Sequence, residues 1–403
     1  MTPELHRTET LMTLASPQRV LSVDVARGIT IAFMILVNDP GDWNRVYAQL
    51  DHAFWNGWTL TDLVFPNFLF LIGVSIIFSL QSRIAKGEPR SSLAGHIVRR
   101  AAILFALGLL IGAFPHFHLT HLRILGVLTR IALCYLCAGL IGLVTRKISH
   151  LAVMAATLLV GYWILLRFVP VPGFGVPTRD IPLLDQVGNL TSWIDRGFAV
   201  FTQRFLHAGH LYRKTSDPEG LLSTLPAIGT TLIGSITGVI MRLPQYTPAK
   251  KRNILAAGGV LFFAAGELWN RTFPINKNLW TSSYVLLAAG CSLLILTLTY
   301  WLVDMRRIQD KSSVARAALW PWLVFGSNAI VVYALSDFLV EILLWIKFQN
   351  NGKTITAWNW IYLHGFSHGN STEITSVAFA IAFVLVCFIP NWLLWRKHIF
   401  VKI

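Results

Sequence analysis

Ten long apolar segments constrain the fold of this chain more than any other feature of its sequence. Each is long enough, or nearly so, for a helix that rises 1.5 Å per residue to cross a bilayer core of about 30 Å. A segment in lipid must satisfy its own backbone hydrogen bonds, which favours helices. The segments are 21–38, 62–81, 97–114, 123–145, 149–169, 221–241, 253–268, 279–303, 318–346 and 374–395. The sequence therefore predicts an all-α bundle of about ten transmembrane helices, in one domain over residues 21–395.

The composition agrees with a membrane protein and argues against a nucleic-acid-binding one. Only 13% of the 403 residues are charged, whereas soluble domains carry about 25%. The net charge of +15 arises from short basic clusters between the apolar segments, not from one basic face or tail. Such clusters are typical of topology signals and of contacts with anionic lipid. We expect membrane lipid as a partner and no nucleic acid.

The distribution of Lys and Arg predicts the orientation. One set of connecting segments, together with both termini, holds roughly twice as many basic residues as the other set, which also has the longer loops. The positive-inside rule then places the tails 1–20 and 396–403 in the cytoplasm. The loops expected outside are 39–61, 115–122, 170–220, 269–278 and 347–373. Because residues 1–19 lack the apolar core of a cleavable signal peptide, the first apolar segment is expected to be retained.

The four cysteines lie in apolar segments and predict neither a disulfide framework nor a metal site. Cys134 and Cys137 have C-x-x-C spacing, but no second pair completes a zinc site. The histidines between residues 116 and 121 do not share a helical ligand face. We therefore expect no bound metal.

Ionisable residues at the start of the first segment are candidates for a ligand site. Asp24 and Arg27 are three residues apart, so they lie on one helical face and can pair. This pair is either structural or part of a donor-binding site, because ionisable groups within a membrane are often functional.

The loop after the first segment contains the residues best suited to proton transfer. His52 is followed by Asp62, and Asn38 lies at the end of the preceding segment. A carboxylate can orient an imidazole base, and an amide can stabilise a developing oxyanion. Asn56 and Trp58 lie between the two charged residues and are candidates for substrate binding. A histidine beside aromatic residues can equally be an interface residue.

Four further polar residues lie at helix ends or within apolar segments. Arg123 and Arg130 are seven apart, hence on one face, and a buried arginine needs an anionic partner. A donor phosphate is one candidate and a carboxylate such as Glu267 or Asp337 is the other. Lys277 lies at a helix mouth, and Asn328 within an apolar segment either binds substrate or joins helices by hydrogen bonds.

The chain resembles the bacterial relatives of heparan-α-glucosaminide N-acetyltransferase, a family of multi-span enzymes that use acetyl-CoA. The resemblance covers nearly the whole chain, in family order. It rests on SVDVARG, LVN at 36–38, HAFWNGWTLTDLVFP at 52–66, RILGVLTRIALCYL at 123–136, DPEGLLSTLPAI at 217–228, FPINKNLWTSSYVL at 273–286, FGSNAIVVY at 325–333 and the tail IFVKI. It implies that His52 is the active-site histidine and that Asn38 takes part beside it.

The resemblance implies an acyltransferase of the bacterial inner membrane. Acetyl-CoA would bind from the cytoplasm, and its acetyl group would pass to an amino sugar or glycan outside, with His52 as general base or as nucleophile. An O-acetyltransferase of a cell-envelope glycan is an alternative, and a small-molecule transporter is an alternative of another class. A homodimer is left open.

Overall fold

The computed structural model describes residues 20–350 and 352–401. Among these residues the regular secondary structure is almost all helix, as the apolar segments predict, with one short β-hairpin. The helices are α1 Leu21–Asn38, α2 Val64–Ala85, α3 Arg90–Ala113, α4 Val127–Val144, α5 Ile148–Phe168, α6 Leu190–Leu206, α7 Thr224–Arg242, α8 Pro248–Asn270, α9 Ser282–Thr299, α10 Ile308–Lys311, α11 Ser313–Ser327, α12 Ala329–Trp345, α13 Ala357–Tyr362 and α14 Glu373–Arg396, and the strands are β1 Lys347–Asn350 and β2 Lys353–Thr356.

Eight helices of the described chain are long and apolar enough to cross a membrane, and the bent pair α11–α12 would be a ninth. Helix α8 is less apolar but has 23 residues. Near the C-terminus of α8, Glu267 accepts a hydrogen bond from Trp58. Arg242, which ends the preceding helix α7, lines a cavity together with Arg27 at the other end of the bundle. Because α8 connects these two ends, it completes a bundle of about ten helices at the expected segments. The polytopic helix bundle is confirmed.

The two ends of the bundle differ and are named here after Arg27 and His52. At the Arg27 end, the Asp304 carboxylate accepts hydrogen bonds from the backbone N–H groups of Leu21 (3.1 Å) and Ser22 (3.2 Å). The first N–H groups of a helix have no partner within it, so this carboxylate caps α1. The cap holds the end of the segment Ser282–Met305 against the start of α1.

Helices α1 and α11 touch through two glycines. A Cβ atom on Gly326 would lie 2.0 Å from the carbonyl oxygen of Asp24, and one on Gly28 would lie 1.8 Å from that of Trp322. Small residues permit such backbone contacts between membrane helices. Directly after Gly326 the chain bends by 79° between α11 and α12. The bend leaves polar backbone and Asn328 facing a cavity at the Arg27 end.

Asn328 joins this bend to the C-terminal segment. Its Nδ2 donates to the carbonyl of Ile399 (3.1 Å), and its Oδ1 accepts from the backbone N–H of Val401 (2.8 Å). The buried amide thus finds partners on the segment after the last helix, and not on another helix as the sequence led us to expect. It also lines the cavity, so the substrate-binding role is still available.

The loops at the His52 end contain secondary structure that the apolar pattern did not predict. The segment expected as the external loop 170–220 contains α6, and the segment 347–373 contains the hairpin β1–β2 and helix α13. In the hairpin, Lys347 pairs with Thr356 and Asn350 with Lys353. These elements cover the end of the bundle at which His52 lies.

Candidate active site

His52 and Asp62 form a hydrogen-bonded pair at the mouth of the bundle. Nδ1 of His52 lies 2.8 Å from Oδ1 of Asp62. The Asp62 side chain is 1% exposed and that of His52 is 46% exposed. With Nδ1 bound to a carboxylate, the neutral ring carries its proton on Nδ1, which leaves the lone pair of Nε2 free for a substrate.

The local chain conformation depends on the second oxygen of Asp62. Oδ2 accepts hydrogen bonds from the backbone N–H groups of Ala53 (3.1 Å) and Thr59 (3.0 Å). Asp62 itself lies in the single 3₁₀ turn Thr61–Leu63 that precedes α2, and the Tyr284 hydroxyl donates to its carbonyl oxygen. One carboxylate therefore shapes the loop and orients the histidine.

Lys277 places a cation against the His52 ring. Its Nζ lies 3.1 Å from Nδ1 and 3.1 Å from Nε2 of His52, and 3.8 Å from Oδ1 of Asp62. An atom this close to both ring nitrogens would collide with Cε1 if it lay in the ring plane, so Nζ lies over the ring face. Burial lowers the pKa of Lys277, although the carboxylates of Asp62 and Glu219 oppose this effect.

A second set of hydrogen bonds joins the loop that carries His52 to the loop that carries Lys277. Asn276 Nδ2 donates to Asn56 Oδ1 (3.1 Å), and the backbone N–H of Gly57 donates to the carbonyl of Ile275 (2.8 Å). Trp58 Nε1 donates to Glu267 (3.1 Å). Asn56, expected from the sequence to bind substrate, thus joins the two loops, and Trp58, expected to do the same, joins the His52 loop to the end of α8.

Arg123 lies in an ion-pair network next to this site. Its guanidinium binds the carboxylates of Asp217 and Glu219. Burial would raise the pKa of Glu219, but Arg123 and Arg130 hold it below the usual range. Asp217 and Glu219 were not among the candidates from the sequence, although DPEG at 217–220 begins one of the family strings.

Arg130 occupies a different place from the one expected. It donates to the carbonyl of Gly220 (2.9 Å) and to the Ser223 hydroxyl, and its guanidinium lies 5.1 Å from the centre of the Trp280 ring. In the part of the chain that the structure describes, it forms no ion pair with Glu267 or Asp337. Neither of these two carboxylates is therefore its partner, and Arg130 does not line the cavity of Arg27.

Asn38 is not joined to the histidine. It ends α1 with its side chain exposed, and among residues 20–350 and 352–401 no hydrogen bond links it to His52 or Asp62. Its expected role beside His52 therefore stays a prediction.

A basic cavity of about 350 Å³ opens at the Arg27 end. None of the described residues that line it is acidic. Arg27 donates to Ser75 (2.7 Å) and lies 3.4 Å from Asp24, so the expected Asp24–Arg27 pair is confirmed. The buried Nε of Arg100 has no hydrogen-bond partner among the described residues. The polar residues that line the cavity are Arg27, Ser75, Ser79, Arg83, His96, Arg99, Arg100, Tyr135, Ser327 and Asn328.

This cavity extends along α2 toward the His52 pair. It is lined by Arg83 near one end of that helix and by Phe68 near the other. At a rise of 1.5 Å per residue, Arg83 and Phe68 are about 22 Å apart along the helix axis. Phe68 is in turn about 9 Å from Asp62 by the same measure. An elongated ligand with an anionic group among the arginines could therefore reach toward His52.

Comparison with known proteins gives the family. The catalytic-domain model of heparan-alpha-glucosaminide N-acetyltransferase matches residues 19–243, which include His52, Asp62 and Arg27. The human heparan-alpha-glucosaminide N-acetyltransferase is 29% identical over 434 aligned positions, covering 96% of this chain and 60% of the human protein. The mouse protein is 28% identical over 364 positions, covering 79% of this chain and 53% of its own length. The chain thus spans just over half of these curated relatives, and it belongs to the heparan-alpha-glucosaminide N-acetyltransferase catalytic family.

Proposed function

We propose that this protein is a transmembrane acetyltransferase that moves an acetyl group from acetyl-CoA, bound at the Arg27 end, to an amino sugar or glycan at the His52 end. The observation that carries the proposal is the pairing of an oriented, half-exposed His52 with a basic cavity that extends toward it from the opposite end of the bundle. The family membership supports an N-acetyl transfer.

The basic cavity fits the donor. Guanidinium groups match the geometry of phosphate and form strong charge-assisted hydrogen bonds with its oxygens. Arg27, Arg83, Arg99 and Arg100 supply such groups, and the unpartnered Nε of Arg100 offers one more donor. The residues that continue toward Phe68 are mostly apolar, as a slender pantetheine arm requires.

At the His52 end, three side chains divide the chemistry. Nε2 of His52 takes a proton from the acceptor amine while the amine nitrogen attacks the thioester carbonyl. The C–N bond forms, the C–S bond breaks, and CoA leaves as a thiolate. Asp62 stabilises the resulting imidazolium, and Lys277 supplies positive charge for the developing oxyanion. In the alternative route, Nε2 itself attacks the carbonyl, the C–S bond breaks and CoA leaves as a thiolate. The amine then attacks the acetyl group on His52, the bond to Nε2 breaks, and the imidazole leaves with the amine proton.

The proposed orientation follows the distribution of basic residues. The Arg27 end, with both termini, faces the cytoplasm of a bacterium, and the His52 end faces the outside of the inner membrane. Cytoplasmic acetyl-CoA then reaches the basic cavity without crossing the bilayer.

The test is an acetyl-transfer assay on the full chain in lipid nanodiscs. Labelled acetyl-CoA is offered with an aryl glucosaminide or with the matched aryl glucoside, which has a hydroxyl in place of the amine. We expect N-acetylated product from the glucosaminide alone. Acetylation of the glucoside instead would identify an O-acetyltransferase, and substrate flux into vesicles without any acyl donor would identify a transporter.

A further inference from the structure

Helix α6 is built with its polar side inward and its apolar side outward. Thr191, Ser192, Asp195 and Thr202 are buried, although three of them have short polar side chains and one is a carboxylate. On the opposite face the side chains of Trp193, Val200, Phe201 and Phe205 are exposed, at the spacing expected for one face of a helix. A helix in water carries the reverse arrangement.

The start of α6 is attached to a spanning helix, and the chain just beyond its end is attached to the segment that leads into another. The Tyr162 hydroxyl on α5 hydrogen-bonds the Thr191 hydroxyl in the first turn (3.1 Å). Tyr162 is six residues before the end of α5, so this contact lies about 9 Å below the helix end at 1.5 Å per residue. Beyond the last turn, the backbone N–H of Gly209 donates to the carbonyl of Leu122 (3.0 Å), just before α4. Helix α6 thus lies across the bundle surface at the depth where α4 and α5 end.

Helix α5, to which α6 is joined through Tyr162, also exposes apolar side chains. Val160, Ile164 and Phe168 are exposed on α5, a helix long and apolar enough to span the membrane. Arg204 lies on the same face of α6 near its C-terminus, with its guanidinium 5.7 Å from the Phe205 ring. A long basic side chain there can extend to lipid head groups while its stem covers apolar surface.

We propose that α6 is an interfacial helix that lies in the leaflet at the His52 end, with its apolar face against lipid acyl chains. Its composition suits this position, since aromatic and aliphatic residues gathered on one face are typical of helices in the membrane interface. The segment that the sequence assigned to a loop outside the membrane is therefore partly a membrane-contacting element.

This position relates the lipid to the candidate active site. On the inner face of α6, Asp195 Oδ1 accepts a hydrogen bond from the backbone N–H of Leu221 (2.9 Å). The neighbouring Gly220 carbonyl accepts from Arg130. Helix α6 thus separates lipid on one side from the network of Arg123 and Arg130 on the other, and it fixes the depth of that network at the membrane surface.

The test measures lipid contact directly and does not depend on the acetyl-transfer proposal. Val200→Cys and Arg179→Cys are made in a background whose four cysteines are replaced by alanine, and each is labelled with an environment-sensitive dye in nanodiscs. Arg179 lies in the loop before α6 and its side chain is 73% exposed. We expect blue-shifted emission and quenching by lipids spin-labelled near the head group for Val200→Cys, and quenching by aqueous iodide for Arg179→Cys.

Oxidative footprinting of the unmodified protein in nanodiscs gives the same answer without substitutions. Phe201 and Phe205 should be protected, while Phe54, which is 84% exposed in the His52 loop, should be oxidised. Iodide quenching of Val200→Cys equal to that of Arg179→Cys, or oxidation of Phe201 equal to that of Phe54, would overturn the proposal. Protection from both lipid and aqueous quenchers would place a second copy of the chain on this face and would also overturn it.

Discussion

The Asp62 carboxylate lies 2.8 Å from Nδ1 of His52 and is almost fully buried, while the imidazole is about half exposed. The buried partner orients the ring and the exposed partner is free to meet a substrate. Asp62 also accepts two backbone hydrogen bonds from the loop that carries His52, so orientation of the ring and shape of the loop depend on the same side chain.

Replacement of His52 tests the catalytic assignment. His52→Ala should fold, extract and bind CoA as the wild type does, but lose about 10²–10⁴-fold in turnover, which is the usual contribution of a general base. His150→Ala is the matched control, because His150 is exposed near the start of α5, at the end of the bundle opposite to His52. Turnover of His52→Ala close to that of the control would remove this residue from the mechanism.

Incubation with labelled acetyl-CoA and no acceptor separates the two routes. Label retained on the wild type and absent from His52→Ala would support an acetyl-histidine intermediate. If no label is retained, yet turnover is complete once acceptor is added, the transfer is direct.

Replacement of Asp62 tests the tautomer argument. In Asp62→Asn the amide can still accept from Ala53 and Thr59, but its NH₂ group would face Nδ1 and force the ring proton onto Nε2. The nitrogen that should accept the proton is then blocked. We expect a loss of about 10²–10⁴-fold in kcat with little change in KM for acetyl-CoA. Asp51→Asn, on an exposed neighbour, is the control; equal losses in both variants would contradict the argument.

The pH dependence of turnover tests Lys277. Because burial lowers its pKa, its charge is lost as pH rises through a value below the ordinary lysine pKa of about 10.4. If that charge stabilises the oxyanion, wild-type turnover falls on this alkaline side. Lys277→Arg, which stays charged, should shift the decline to higher pH, and Lys277→Met should be slow throughout. Identical alkaline profiles for wild type and Lys277→Arg would exclude this role.

The basic cavity predicts which arginines bind the donor. Arg100→Gln should weaken CoA binding about 10- to 100-fold, as expected for the loss of a hydrogen bond to a charged group. The weakening should shrink at high salt, because exposed charges are screened. Arg90→Gln is the control, since Arg90 is exposed on the same helix but does not line the cavity. Calorimetric affinities that are equal for the two variants would place the phosphates elsewhere.

Arg130 gives the contrasting expectation for the same measurement. Its contacts with Gly220, Ser223 and Trp280 lie away from the basic cavity. Arg130→Lys should therefore leave the dissociation constant of CoA unchanged while lowering stability, because lysine cannot reproduce the planar guanidinium. Weaker CoA binding in this variant would restore the donor role that the sequence first suggested.

Membrane orientation can be tested with single cysteines at exposed positions. An impermeant maleimide should label Arg179→Cys in spheroplasts and Lys86→Cys only after the membrane is opened. Labelling in the reverse pattern would invert the proposed topology and place the basic cavity outside.

Hydrophobic segment lengths were sufficient to predict the helix bundle, because a bilayer imposes the same length and the same internal hydrogen bonding on every span. The Asp24–Arg27 pair was also predictable, since residues three apart on a helix always face the same way. The family strings drew attention to His52 as the candidate active-site histidine. All of these follow from residues that are close in the chain or from composition.

The remaining relationships required the folded chain. Lys277 reaches His52 from 225 residues away, and Arg130 turns toward Gly220 and not toward the expected carboxylates. The inward polar face of α6 contradicts a simple hydropathy interpretation of residues 170–220. Such contacts depend on how helices and loops pack against one another. The sequence offers each loop side chain many hydrogen-bond or ion-pair partners of the same chemistry, and only the tertiary structure brings one of them within reach.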